Sequence, residues 1–63
     1  MPETPREVLF EFKQIGNSVK VTAIDSATGI EASIVGPAGA GNFELRRVAL
    51  AKLNYVMQKQ NRT

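Results

Sequence analysis

The sequence contains no cysteine, no histidine and no tryptophan. Without cysteine there is no disulfide and no thiolate metal site. Without histidine the commonest metal ligand is missing, and so is the usual general base near neutral pH. Aromatic residues are few: three Phe and one Tyr. No apolar run approaches the ~18 residues that a membrane span needs. The opening Met1-Pro-Glu-Thr-Pro-Arg-Glu7 has no basic-then-apolar pattern. That argues against a signal peptide and for the cytoplasm. The acids Glu3, Glu7, Glu11, Asp25, Glu31 and Glu44 form no evident acid–base pair, and Ser18, Ser26 and Ser33 have no neighbouring base to activate them. These gaps argue against an enzyme and against a bound metal or cofactor.

What is present reads as one globular domain. The chain has 63 residues, 43% of them hydrophobic and 22% charged. A chain this short buries only ~60% of the surface its unfolded form exposes. With no disulfide or metal staple, stability must come from a well-packed core or from self-association.

Two prolines and no periodicity mark residues 1–6 as a disordered lead-in. Over residues 7–15, Val8, Phe10 and Phe12 alternate with Leu9, Glu11 and Lys13, the period of a strand. Gly16-Asn17 then reads as a two-residue hairpin loop. That loop sets Gln14 opposite Val19, Lys13 opposite Lys20, Phe12 opposite Val21 and Phe10 opposite Ala23. The second strand spans residues 19–24 and ends in the turn chemistry of Asp25-Ser-Ala-Thr-Gly29. With a loop over residues 26–29, the third strand, 30–35, sets Ala32 opposite Ala23 and Ile34 opposite Val21. Both hairpins then keep one apolar face, which a one-residue slip would destroy.

A small-residue connector follows, Gly36-Pro-Ala-Gly-Ala-Gly-Asn42. Asn42 suits an N-cap, and residues 43–60 read as one long helix without Gly or Pro. At about 100° per residue, Leu45, Ala49, Leu50, Leu53, Val56 and Met57 share an arc that should cover the sheet. Phe10, Phe12 and Leu53 are the expected centre of the core. The expected fold is α+β: a three-stranded antiparallel meander and one C-terminal helix packed on one face, over residues 7–60. Residues 61–63 are expected to fray.

Three resemblances bear on function. The string from Gly36 to Phe43 is similar to a P-loop in the placement of Gly36 and Gly41. The loop's Lys and Ser/Thr positions are Asn42 and Phe43 here, and a P-loop belongs to a parallel sheet, so nucleotide hydrolysis is not implied. What remains is the capacity of a helix N-terminus to attract an anion. The order of three strands, glycine-containing loop and basic helix resembles the later part of a double-stranded RNA-binding domain, with Gly39-Ala-Gly41 and Arg46-Arg47-Val48-Ala49 as a loose version of its loop and helix start. That domain's first helix has no counterpart here. Finally, Glu7-Val-Leu-Phe-Glu-Phe12, Val19-Lys-Val-Thr-Ala-Ile-Asp25, Ala27-Thr-Gly29 and Val35-Gly-Pro-Ala38 resemble a family of short uncharacterised alphaproteobacterial proteins, which implies no activity.

Charge is uneven. Residues 1–31 carry −2, and residues 32–63 carry +4 from Arg46, Arg47, Lys52, Lys59 and Arg62 against Glu44. Those five bases are the candidate contacts of a nucleic-acid-binding module. They also suit a helix C-terminus and a solvated surface. Lys13 and Lys20, facing each other, make a small cationic patch. Val48 and Tyr55 lie off the core arc, flanked by Lys52 and Lys59, and are the candidate interaction surface. They would pack on the sheet's rim or meet a partner. With two open sheet edges, the favoured reading is a small non-catalytic interaction module that binds itself or another protein, with nucleic acid as the alternative.

Overall fold

The computed structural model describes residues 7–60; the expected disordered lead-in and frayed terminus lie outside the described residues. Strands β1 (Val8–Ile15), β2 (Ser18–Asp25) and β3 (Glu31–Pro37) form one antiparallel sheet in the order β1-β2-β3. A short 3-10 turn, Ala38–Ala40, leads into helix α1 (Asn42–Gln60). This is the βββα arrangement expected from the residue pattern.

Both hairpin registers follow from the alternation. Phe12 faces Val21 and Lys13 faces Lys20; Ala23 faces Ala32 and Val21 faces Ile34. In the first turn Gly16 takes φ 61°, while Asn17 keeps a negative φ, so glycine alone supplies the positive φ. The second turn is built on Asp25. Its carboxylate accepts the Thr28 amide at 3.0 Å and the Thr28 hydroxyl at 2.8 Å. The Gly29 amide returns to the Asp25 carbonyl at 2.8 Å, with Gly29 at φ 78°. The Ser26 amide and hydroxyl both donate to the Glu7 carbonyl, tying this turn to the start of β1.

The helix starts one residue earlier than expected. The Leu45 amide donates to the Gly41 carbonyl at 3.1 Å, so Gly41, at φ 90°, holds the capping position instead of Asn42. Leu45 then lies against Gly36, where a Cβ would stand 2.5 Å from Leu45 Cδ2.

Helix α1 lies over β2 and β3. The buried core is Val19, Val21, Ala23, Ala32, Leu45, Ala49 and Leu53. Phe10 and Ile34 pack against it only partly buried, with Val56 and Met57. The expected core centre is therefore corrected. Leu53 is fully buried, but Phe12 is 37% exposed. The reason is dimensional: a helix with its side chains is ~10–12 Å across and strands lie ~4.8 Å apart, so one helix covers about two strands. Strand β1 is left over.

Candidate interaction surface

The hydrogen-bond parity of the sheet decides which backbone groups reach its edges. The Asp25 amide donates to the Ile30 carbonyl at 2.9 Å. Facing pairs in step with it (Ala23–Ala32, Val21–Ile34) exchange hydrogen bonds, and the pairs between them do not. The amides and carbonyls of Glu31, Ser33 and Val35 therefore point out of the β3 edge. By the same argument, the Ser26–Glu7 bond turns the backbone groups of Val8, Phe10, Phe12 and Gln14 out of the β1 edge.

The two edges are treated differently. On β3, Lys52 Nζ donates to the Ser33 carbonyl at 2.8 Å, and Pro37 has no amide to offer. Charged side chains and proline are common guards of an edge strand. On β1, among the described residues, no element pairs with the outer edge.

Beside that open edge lies a shallow groove of about 280 Å³, lined by Phe10, Phe43, Arg46, Arg47 and Leu50. The four helix residues recur at i, i+3, i+4 and i+7, one stripe on the β1 side of α1. Phe43 is 79% exposed. The Arg46 guanidinium sits 5.4 Å from the Phe10 ring centroid and 5.9 Å from that of Phe12, within cation–π range. Phe10 and Phe43 thus line the groove, and Arg46 links it to the neighbouring Phe12 ring. Arg47 donates to Glu44 at 2.6 Å on the exposed surface. That hydrogen bond, then the charge of Glu44, raises the pKa of Arg47 above its ordinary value. On the opposite sheet face of the same strand, Leu9 and Ile15 are 48% and 59% exposed, on either side of Glu11 and Lys13.

The surface singled out from sequence lies on the other flank of α1. Val48 and Tyr55 are both exposed, so neither is buried under the sheet's rim. Lys52, between them, reaches the β3 edge, and Lys59 Nζ stands 5.8 Å from the Tyr55 ring. Of the five candidate nucleic-acid contacts, Arg46 faces β1, Arg47 pairs with Glu44, and Lys52 and Lys59 are on the β3 flank. Arg62 lies outside the described residues. The structure does not bring the four described bases onto one face. Lys13 and Lys20 face each other as expected, both exposed.

The β1-side groove was missed in the sequence because Phe10 and Phe12 share the apolar face of the core strands. The available signal was Phe43 and Leu50, seven residues apart with Arg46 and Arg47 between them. Of the glycine connector, Gly36 and Pro37 end β3 and only Ala38–Ala40 form a separate turn. Among the described residues there is no cluster of three or more His, Cys, Asp or Glu suited to a metal. No helix among them is long and apolar enough to cross a membrane.

The geometry defines a small α+β domain with one guarded and one open sheet edge, and an apolar groove along the open side. Residues 5–60 match the model of a family described as a domain of unknown function, DUF6898, and the chain belongs to that family. No curated protein and no solved structure matches it.

Proposed function

We propose that this protein is a small non-catalytic interaction module that self-associates. The observation that carries the reading is that the open strand β1 has exposed apolar side chains on both faces: Phe12 on the helix side, where Phe43 borders the groove, and Leu9 and Ile15 on the other face. Exposed apolar side chains along an unpaired strand edge suit a contact surface. The marginal core of a short chain adds a motive, because association removes such a patch from water. A bacterial, cytoplasmic setting, as the alphaproteobacterial resemblance implies, belongs to the same proposal. The Val48–Tyr55 stripe, with Lys52 and Lys59, is a second surface for an unidentified protein. Nucleic-acid binding receives less support, since Arg46 and Lys52 lie on opposite flanks of α1.

Light scattering behind a sizing column, over a range of concentrations, tests the proposal. A dimer mass that falls on dilution is expected. A monomer at every concentration contradicts self-association.

A further inference from the structure

Resting on that reading, we infer that the partner is a second copy of this chain, added edge to edge along β1 in an antiparallel register centred on Phe12.

The argument begins with the edge. The outward backbone groups belong to Val8, Phe10, Phe12 and Gln14, all even-numbered, whose side chains face the helix side of the sheet. A two-fold axis perpendicular to the sheet preserves both faces, so facing residues must share parity and the axis must pass midway between one β1 residue and the same residue of the other copy. Only a few such registers exist, and side chains choose among them.

Centring on Phe12 sets each Glu11 opposite Lys13 of the other copy, twice. It sets Leu9 opposite Ile15, also twice, joining the two exposed apolar residues that β1 places on the outward face. On the helix side Phe12 meets its own copy, and each Phe10 lies diagonal to the other Phe12, within reach of an aromatic ring. Backbone bonds form at Phe12–Phe12 and Phe10–Gln14, where the outward amides and carbonyls are.

The neighbouring registers are worse. Centring on Glu11 sets that carboxylate against itself. Centring on Lys13 does the same with two ammonium groups. Like charges directly opposite are unfavourable. Centring on Phe10 sets Glu11 opposite Leu9, an ion against an apolar side chain, though it brings Glu7 opposite Lys13.

The product is a continuous six-stranded sheet in the order β3-β2-β1-β1-β2-β3. Both helices lie on one face, and the two grooves merge along the axis. Phe43 and Leu50 of each copy border the merged groove. The guarded β3 strands become the outer edges. The term opposing closure is repulsion between the two Arg46 side chains, which lie over Phe10 and Phe12 near the axis. Salt screens this repulsion and the Glu11–Lys13 attraction alike, so charge exchange is the sharper test.

The experiment uses Glu11→Lys and Lys13→Glu, two substitutions at exposed positions, with circular dichroism confirming the fold of each. Each single variant faces two like-charge pairs and should dissociate at least about tenfold more readily than the unsubstituted chain. An equimolar mixture of the two restores both opposite-charge pairs and should recover the dimer mass. In parallel, Glu11→Cys mixed with Lys13→Cys should form a mixed disulfide on oxidation, because a non-hydrogen-bonded facing pair holds its Cα atoms ~4.5 Å apart. A dimer indifferent to both charge reversals, or a mixture that stays monomeric, overturns this register while leaving self-association standing. A monomeric unsubstituted chain overturns both.

Discussion

Lys52 Nζ donates to the Ser33 carbonyl at 2.8 Å, across 19 residues of chain, and so joins the exposed flank of α1 to the outer edge of β3. The bond covers a backbone acceptor that parity turns toward solvent. It makes the two edges of a three-stranded sheet unequal.

Replacing this lysine isolates that role. Lys52→Met keeps much of the apolar stem but removes the donor. The expected stability loss is about 1 kcal/mol or less, because the bond is exposed. Species larger than a dimer should appear in light scattering as the β3 edge opens. An unchanged mass distribution would show that the edge needs no guard at Ser33.

The two flanks of the helix are separable by substitution. Phe43→Ser removes an exposed ring from the β1-side groove and should leave the thermal midpoint nearly unchanged, since the ring is mostly in water already. It should weaken self-association several-fold, read from the concentration dependence of the mass. Val48→Asp with Tyr55→Asp, on the other flank, should leave the dimer intact. The reverse pattern would move the contact to the Val48–Tyr55 stripe.

Gly36 is a packing requirement. A Cβ there would stand 2.5 Å from Leu45 Cδ2, and Leu45 is buried at the start of the helix. Gly36→Ala must push Leu45 off its seat, at a cost of ~1–3 kcal/mol. Urea denaturation measures it. A neutral result would mean that the first turn of α1 yields without cost.

Asp25 is the polar anchor of the second hairpin, buried to 2% exposure and accepting both Thr28 donors. Asp25→Ala removes the charged acceptor of both Thr28 donors and should destabilise the fold by about 1–3 kcal/mol. Asp25→Asn, which keeps an acceptor oxygen, should lose less. Equal losses for the two variants would place the effect elsewhere than in these bonds.

The sheet was legible in the residues themselves because its period is two and its loops are short. Val8, Phe10 and Phe12 can share a face with Val19, Val21 and Ala23 in only one register across Gly16-Asn17, and the structure adopts it. The helix and its Leu45–Ala49–Leu53 seam were equally plain. Which two strands the helix covers was not. Apolar alternation marks all three strands alike, so Phe10 and Phe12 looked as central as Val21. The deciding features are steric. The connector makes only one 3-10 turn before α1 begins, which keeps the helix start beside β3. Ala23, Ala32 and Ala49, small and buried, occupy the layer between helix and sheet. The groove was not legible for the same reason, since it exists only because β1 is left uncovered.

Amide hydrogen exchange along β1 reads the open edge itself. Phe10, Phe12 and Gln14 have outward amides that nothing among the described elements of a single copy pairs with. Edge-to-edge association through β1 should slow their exchange progressively as concentration rises, while Ser33 and Val35, on the β3 edge, keep exchanging freely. Fast exchange at Phe10, Phe12 and Gln14 in a sample that is dimeric by mass, or protection that appears at Ser33 and Val35 instead, would contradict the account.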